Sequence, residues 1–442
     1  MPNASHRVHA SHTMESPHRG IARPRLAWCG WIAVVAMALA GCASIPGPLG
    51  SGSPACVPHF AYADGWLGGD AVYSVPVPGG ASRHETVWIF GDTYVGEPGA
   101  KDRAGATLIH NSVGLSECRG GDAFELEYGW RVDATGEPRA IFETGRERHY
   151  VWPFDGFFLG DQLYVLLLEV REDTPRGPLG LPIRITRSLV ARVENPDDPP
   201  AYWRVDLRPL TDDGGPLLTP GVFVEHGFVH MMATPNGDQG AHPRFLVRLP
   251  IDVVEDWPED LRPALETFSN RGAWEPGLHA PNARVLMRDN ATEMSIDRSE
   301  QTGRYFAVYG APLQTGGDGS ASPTPALDAN SIFVRTALSL VGPWSERQRL
   351  LVMPEGIEAA ASETGDGTIC YAAKAHAEHS PPGVLSLTYV CNLSPGPGGD
   401  VWATLEAMQT RMDVYRPRVA THPWPQRSEF VEPDDAENAN GQ

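Results

Sequence analysis

The sequence repeats one unit five times: a short strand, a tight polar turn and a stronger strand that contains an aromatic residue. The units begin near residues 70, 155, 219, 293 and 358, roughly 65 to 85 residues apart. Between them lie short alternating apolar runs broken by Gly, Pro and Asp, with almost no helical periodicity. Five units predict an all-β domain over residues 58–424, a five-bladed β-propeller. A β-sandwich is the alternative, but it needs long hairpin-rich insertions to account for the repeat.

The N-terminal 41 residues have the layout of a bacterial export signal. A polar stretch with four arginines precedes the apolar run LAWCGWIAVVAMALA at residues 26–40, and small residues follow. The run is short for a membrane span and leads into a Gly/Pro/Ser stretch, so a transmembrane anchor is the weaker interpretation. The polar stretch is unusually long, and a start at Met14 gives a more ordinary signal.

Leu39-Ala40-Gly41-Cys42, at the end of the apolar run, resembles the lipobox, in which the cysteine thiol receives diacylglycerol. We therefore expect an exported lipoprotein with lipidated Cys42 as its first mature residue, anchored at the outer membrane or cell surface. A soluble periplasmic protein cut near Ala43 is the alternative. Residues 42–57 are predicted to form a flexible tether and residues 425–442 a disordered acidic tail.

The charge of the mature chain limits its partners. Removing residues 1–41 takes away four arginines and one glutamate and leaves 31 basic and 54 acidic side chains. Such an acidic surface opposes nucleic-acid binding, because no excess of cations is present to displace counterions from phosphates. A glycan or oligosaccharide is the expected partner, with the lipid anchor as the sole membrane contact, and the domain is expected to be a monomer.

Four cysteines remain after the signal peptide and the lipidated residue are set aside. An even number in an oxidising compartment predicts two disulfides. Three pairings exist; the favoured one joins Cys56 to Cys118 and Cys370 to Cys391, because each pair then links neighbouring strands. The sequence contains no CxxC motif and no helical histidine pair, so no zinc site or other cofactor is predicted.

Several segments taken in order resemble a bacterial family of five-bladed propeller domains without an assigned function. They are WLGGDAVYSVPV, VWIFGDT, HNSVGL, VWPFDG, EMSIDRSEQTGRYFAVYG, ALSLVGPW and AAKAHAEH. The segments GDAVYSVPV and FGDT are also similar to furanosidase propellers of the arabinanase and endo-D-arabinanase type. The resemblance covers residues 60–415 and implies a glycoside hydrolase-like domain. Ala71 and Val72 depart from it, since a glycine is expected after Asp70.

Propeller geometry predicts which polar residues share one rim. The start of a blade's first strand and the end of its second lie together, and the turn between them lies at the opposite rim. This rule gathers a set of candidates at one mouth and excludes Asp161 and Glu225, which lie in or before turns. The candidates are Asp70, Asp92, Asn111, Asp155, Glu293 and His376, with Trp66, Trp152 and Phe154 as aromatic neighbours.

Carboxyl groups ringed by aromatic side chains suit sugar binding and cleavage. Glycoside hydrolysis needs one protonated acid and one ionised carboxylate. We expect Asp70 and Asp92 to have the central catalytic roles and Glu293 to be the next candidate, as proton donor. The residues expected to bind or position substrate are Asn111, Asp155, Trp66, Trp152, Phe154 and His376. Pairing Asp70 with Asp92 fits retention of configuration; pairing either with Glu293 across the channel fits inversion.

Each candidate also has a structural interpretation. Asp92 after Gly91 can simply cap a turn, and His376 can fill the last blade or hold a structural ion in the channel. Two other classes of function therefore stay open: a non-catalytic glycan-binding or structural envelope lipoprotein, and a protein-docking propeller.

Overall fold

A computed structural model describes residues 56–79, 84–119, 123–172, 182–236, 243–288, 293–310, 330–356, 367–394 and 401–424. The predicted signal peptide, the alternative start at Met14, the lipidation site Cys42, most of the tether and the acidic tail lie outside these ranges. Within them, no helix is long and apolar enough to cross a membrane.

In the described ranges, five antiparallel sheets of three to five strands follow one another in chain order. Blade one contains β1 (Trp66–Pro76), β2 (Thr86–Val95), β3 (Thr107–Ile109), β4 (Ser112–Arg119) and β5 (Ala123–Gly129). The two-stranded ribbon β6 (Arg131–Val132) and β7 (Pro138–Arg139) leads to blade two, with β8 (His149–Leu159), β9 (Gln162–Glu172), β10 (Ile183–Val193) and β11 (Val205–Pro209).

Blade three contains β12 (Leu217–Glu225), β13 (Phe228–Thr234), β14 (Phe245–Pro250), β15 (Glu266–Phe268) and β16 (Trp274–Pro276). Blade four contains β17 (Met294–Arg298), β18 (Tyr305–Gly310), β19 (Ser331–Ala337) and β20 (Gln348–Val352). Blade five contains β21 (Gly367–Ala375), β22 (Val384–Ser394) and β23 (Arg418–Pro423). Helix α1 (Ile251–Asp256) follows β14, and α2 (Val401–Met408) lies between β22 and β23.

The first strands of the five sheets form a closed ring. Strand β1 contacts β8, β8 contacts β12, β12 contacts β17, β17 contacts β21, and β21 returns to β1. The structure is therefore a five-bladed β-propeller, as the repeat predicts, and the sandwich alternative is wrong.

Local sequence explains the hairpins within the blades. His226 and Gly227, both with positive φ, form the two-residue turn from β12 to β13, which is the backbone geometry that matches strand twist. Central strands are packed on both faces, so β9 is a nearly continuous apolar run. The edge strand β5 alternates exposed and half-buried residues because only one of its faces is covered.

Apolar side chains are buried mainly between neighbouring blades. Tyr73 and Ile89 of blade one pack in one cluster with Val165 of blade two, and a second cluster joins Met232 of blade three to Ile296 of blade four. The stability of each blade therefore depends on its two neighbours.

Four of the five inner strands are irregular in mid-strand. Register shifts occur in β1, β8, β12 and β21, and the residues with positive φ at these places include Ala71, Val72, Gly221 and Ala372. A positive φ at a β-branched residue such as Val72 is strained, so the surrounding contacts must maintain it. These bulges direct individual side chains and carbonyl groups out of the regular alternation.

The predicted register of blade five needs a correction. In the repeat unit that begins near residue 358, the pattern predicts a first strand at that residue, which lies outside the described ranges, and TICYAAKAH as the second strand. In the structure β21 is the innermost strand, because it contacts β1 and β17, and its partner β22 lies outside it. The polar residues of β21 therefore belong to the channel wall.

Arg103 closes the ring between the first and the last blade. Its guanidinium is 1% exposed and donates to the carbonyl oxygens of Leu67, Met408, Arg411 and Val414 at 2.8–2.9 Å. A fifth hydrogen bond reaches the Tyr62 hydroxyl at 3.2 Å. One side chain thus joins the start of blade one to the segment that follows α2, using all five donors of the guanidinium.

Both predicted disulfides are confirmed, Cys56–Cys118 and Cys370–Cys391. The first attaches the beginning of the described chain to β4. Cys56, which the prediction includes in the tether, is buried. The second joins directly paired residues of β21 and β22.

We predict that Arg103→Lys lowers the free energy of unfolding by about 2–3 kcal/mol, because an ammonium has three donors and leaves buried carbonyl groups unsatisfied. The measurement is urea denaturation followed by tryptophan fluorescence. Arg139→Lys is the control, since that side chain is 58% exposed and its ion pair with Asp133 is open to solvent. Equal denaturation midpoints for the two variants would contradict this role for Arg103.

Candidate active site

Asp70 and Asp92 lie beside each other on neighbouring strands. In the pairing of β1 with β2, Gly69 is opposite Thr93 and Ala71 is opposite Phe90, so the two aspartates fall in the same part of the hairpin, away from its turn. This is the proximity that the strand order predicts. Both residues lie inside their strands, since β1 begins at Trp66 and β2 continues to Val95.

Asp70 has the carboxyl group whose pKa departs from its ordinary value. Burial raises its pKa to about 8, and the negative charges of Asp92 and Glu293 add to the effect. Its Oδ2 accepts a hydrogen bond from the Tyr371 hydroxyl at 2.8 Å, which acts in the opposite direction. The Asp70 carboxyl group therefore keeps its proton at neutral pH.

Gly91 makes room for the carboxyl group of Asp70. A β-carbon at this position would overlap Asp70 Oδ1. The glycine before Asp92 thus has a steric function toward the neighbouring strand, in addition to any effect on its own backbone.

Asp92 has 25% of its side chain exposed. Its Oδ1 accepts hydrogen bonds from His110 Nδ1 and Trp152 Nε1, each at 3.0 Å. Among the described residues, the donors to this carboxylate all reach Oδ1, and Oδ2 has none. Tyr415 donates to the backbone oxygen of Asp92 at 3.1 Å and holds the strand in place.

Glu293 forms an ion pair with a buried lysine. Its Oε2 accepts hydrogen bonds from Lys374 Nζ at 2.6 Å and from the Tyr73 hydroxyl at 3.0 Å. Lys374 is 1% exposed, and its other two protons go to the backbone oxygens of Ala71 and of Ala372. Burial lowers the pKa of Lys374, and the carboxylate of Glu293 opposes that shift.

This ion pair changes the role expected of Glu293. An oxygen that already accepts from an ammonium and a phenol is an acceptor, and a proton placed there would leave Lys374 without its counter-charge. The expectation that Glu293 donates a proton is therefore not supported by its surroundings. Glu293 and Lys374 together contribute a neutral, rigid pair beside Asp70.

Asp155 belongs to a second group of carboxyl groups. Its Oδ1 accepts from the backbone N–H of Gly156 at 2.9 Å and its Oδ2 from that of Val222 at 3.1 Å. Burial raises its pKa to about 6, and the charge of Glu378 contributes. Asp297 and Glu378 are affected in the same way, and burial raises the pKa of each to about 7. Neither Asp297 nor Glu378 is among the candidates that the sequence predicts.

Two predicted polar contacts to substrate are corrected. Asn111 is fully buried: its Nδ2 donates to the carbonyl oxygens of Phe142 and Val151, and its Oδ1 accepts from the Phe142 N–H. His376 is 1% exposed, with Nδ1 against the Ser74 hydroxyl at 2.6 Å and Nε2 against that of Thr388 at 2.7 Å. Asn111 joins blades one and two, and His376 has no nitrogen left for sugar or an ion.

Two predicted aromatic contacts are also corrected. Trp66 is completely buried and stacks on Tyr128, with ring centroids 4.3 Å apart. Phe154 is 8% exposed and packs in the apolar cluster near Tyr73. Among the three predicted aromatic residues, Trp152 is the one in contact with a catalytic candidate.

The structure adds groups that residue type and spacing did not single out. They are Tyr73, His110, Tyr150, Tyr371 and Lys374. Within the described part of the chain, Lys374 in the motif AAKAH is the only lysine of the inner strands. A lone lysine in an apolar strand is the signal that could have indicated Lys374 as a site residue.

Glu225 lies where the strand rule predicts, directly before the turn that begins at His226. Its Oε2 accepts a hydrogen bond from the Tyr305 hydroxyl at 2.6 Å. In the described ranges, two clusters bring three potential metal ligands together, and each contains a disulfide whose sulfur atoms are already bonded. Neither cluster therefore offers a metal site.

We predict that the protein loses stability as pH rises from about 6.5 to 8. Carboxyl groups with a raised pKa retain protons in the folded state that the unfolded chain has released, and each group with a pKa of about 7 contributes a loss on the order of 1 kcal/mol. Burial lowers the pKa of the histidines His230 and His379 to about 4, so below pH 6.5 these two groups make stability rise with pH.

The test is the urea midpoint of the wild type and of Glu378→Gln at pH 6.5 and 8. The glutamine variant should lose less stability over this interval, while the exposed control Glu259→Gln should behave as the wild type does. A wild-type midpoint that rises with pH in this interval would contradict the prediction.

Comparison with known proteins supports the fold. Residues 58–199, which include blade one and the first three strands of blade two, match a family profile described as "Domain of unknown function (DUF5005)". No curated protein matches the sequence. Among solved structures, a protein of Bacteroides ovatus ATCC 8483 provisionally described as a hydrolase aligns with a TM-score of 0.58 and 14% identity, over 87% of this chain and 90% of its own.

Two further structures are more distant. The GH43_1 enzyme from Xanthomonas citri, solved with xylose, aligns with a TM-score of 0.40 and 13% identity over 83% of this chain and 90% of its own. An alpha-L-arabinofuranosidase from Lactobacillus brevis aligns with a TM-score of 0.42 and 11% identity, over 83% and 93%. Scores of this size carry no functional argument. The chain shares its overall fold with the Bacteroides ovatus protein, and its residues 58–199 match the profile of a domain of unknown function.

Proposed function

We propose that this protein is a glycoside hydrolase in which Asp70 is the proton donor and Asp92 the ionised carboxylate. The observation that carries the proposal is the contrast between two neighbouring acids. Burial raises the pKa of Asp70 to about 8, whereas Asp92 is partly exposed and accepts two hydrogen bonds on one oxygen. Two carboxyl groups whose surroundings separate their protonation states are what glycosidic cleavage requires.

In the proposed reaction, Asp70 gives its proton to the glycosidic oxygen as the bond to the anomeric carbon breaks. Asp92 Oδ2 attacks the anomeric carbon from the other side. Water then hydrolyses the glycosyl ester, and Asp70, now ionised, takes a proton from that water. Adjacent antiparallel strands hold their backbones about 5 Å apart, which supports the short carboxyl spacing of a retaining enzyme.

The proposed substrate is a furanose-containing polysaccharide or a related neutral glycan. The similarity of GDAVYSVPV and FGDT to furanosidase propellers supports this choice, and both segments contain a catalytic candidate. The excess of acidic residues also favours a neutral polymer, because it would repel an anionic one.

We further propose that the protein is exported and lipid-anchored through Cys42. The lipobox-like run at the end of the apolar segment supports this proposal. Mass spectrometry of the N-terminal peptide from membranes should find Cys42 carrying diacylglycerol, and Cys42→Ala should release the protein from the membrane fraction. An unmodified N-terminus at or after Ala43 would contradict lipidation, and peptides from residues 1–13 would contradict a start at Met14.

We predict that Asp70→Asn and Asp92→Asn each reduce polysaccharide cleavage at least about 1,000-fold, because each removes one of the two groups needed in the transition state. The measurement is the release of reducing ends from a panel of polysaccharides that contains arabinans and other furanose polymers. Glu225→Gln is the matched control, since this carboxylate lies at the turn end of β12.

Three outcomes separate the functions. Cleavage by the wild type that both asparagine variants retain would refute the assignment of Asp70 and Asp92. Binding of a glycan without cleavage would favour the non-catalytic envelope lipoprotein, and neither binding nor cleavage would favour a protein-docking propeller.

A further inference from the structure

His110 is a partly exposed polar group at the site that the reaction above does not use. It follows β3 and precedes β4, where blade one meets blade two. Its Nδ1 lies 3.0 Å from Asp92 Oδ1, and 34% of its side chain is exposed.

The imidazole ring is held in one orientation from two sides. It stacks on Tyr150 of β8 with ring centroids 3.6 Å apart and an angle of 12° between the planes. The next residue, Asn111, makes two hydrogen bonds to Phe142, in the segment that leads to β8, and one to Val151 of β8. Blade two and the segment before it therefore fix both the backbone and the ring of His110.

This arrangement determines how the Asp92 carboxylate is oriented. Rotation about the bond to the carboxyl group would exchange Oδ1 and Oδ2, but His110 from blade one and Trp152 from blade two both donate to Oδ1. Two donors on one oxygen oppose that rotation and leave Oδ2 for the reaction.

The second ring nitrogen has a separate consequence. When Nδ1 donates to the carboxylate, a neutral imidazole has Nε2 as an acceptor. Among the described residues, none is hydrogen-bonded to Nε2, and the exposure of the ring leaves it accessible. A sugar bound against Asp92 carries hydroxyl groups that can donate to such a nitrogen.

We propose that His110 is a positioning residue for the cleavage reaction, which orients Asp92 through Nδ1 and accepts a hydrogen bond from a sugar hydroxyl through Nε2. This inference rests on the proposed glycosidase function. It assigns two separable effects to the two nitrogens of one ring.

The test uses three substitutions that separate the nitrogens. In His110→Asn the amide nitrogen replaces Nδ1, in His110→Gln it lies near Nε2, and His110→Ala has neither. We expect His110→Ala to lower kcat 10- to 100-fold and to raise KM. His110→Asn should retain kcat within about threefold with a raised KM, and His110→Gln should lose kcat as the alanine variant does.

Two controls accompany these variants. His149→Asn alters another exposed histidine, whose Nδ1 contacts the Glu147 carbonyl oxygen, and should leave kcat and KM unchanged. Trp152→Phe removes the other donor to Asp92 Oδ1 and should lower kcat by a similar factor to His110→Gln. Equal melting temperatures exclude a general folding defect.

The outcomes distinguish this inference from the proposed function. If the wild type cleaves a polysaccharide and His110→Ala retains its kcat, the positioning role is wrong. If the wild type cleaves none of the panel, the proposed function fails. In that case calorimetry with arabino-oligosaccharides still tests the role of Nε2. The double variant Asp70→Asn/His110→Ala should bind them about tenfold more weakly than Asp70→Asn alone. Unchanged or absent binding in that background overturns the inference.

Discussion

The site depends on the closure of the propeller between blade five and blade one. Two buried cations hold this junction: the guanidinium of Arg103, which binds four carbonyl oxygens across it, and the ammonium of Lys374, which reaches from β21 to the Ala71 carbonyl of β1. A buried cation is tolerated only when every proton has an acceptor, so each of them imposes a specific arrangement on the strands around it. If the ring opened, Asp70 would lose the Tyr371 hydroxyl and Lys374 would lose the carbonyl oxygen of Ala71.

The same closure separates the charges of the site. Lys374 neutralises Glu293 directly, whereas Asp70 has a phenol as its nearest partner and stays in a poorly solvated position. Asp92, one strand farther out, is solvated and accepts two hydrogen bonds. Three acids within one small region thus have three different surroundings. The left-handed backbone of Ala71 is part of this arrangement, because it turns the carbonyl group toward the ammonium.

Part of the site could be predicted because antiparallel pairing follows from chain order. Asp70 and Asp92 are close since a strand, a turn and a return strand bring them together, and Glu225 is excluded for the same reason. Trp66, Phe154, Asn111 and His376 are buried where substrate contacts were expected, because residue type does not indicate which side chains of a strand, or of the residues that flank it, point to solvent. Lys374 was not predicted because the sequence suggested an inner strand of blade five near residue 358. The inner strand of that blade is β21, which contains Lys374.

The sequence by itself determined the five-blade repeat and the proximity of Asp70 to Asp92 and favoured the correct two of the possible disulfide pairings, because each depends on contacts between segments that are near in sequence. Only the tertiary structure decided the partners of these acids. Tyr371 and Lys374 come from a blade about 300 residues further along the chain, and Trp152 and Tyr150 come from the neighbouring blade. Burial, hydrogen bonding and opposite charge give each acid different surroundings, and those influences arise between blades, where the order of residues along one strand contains no information.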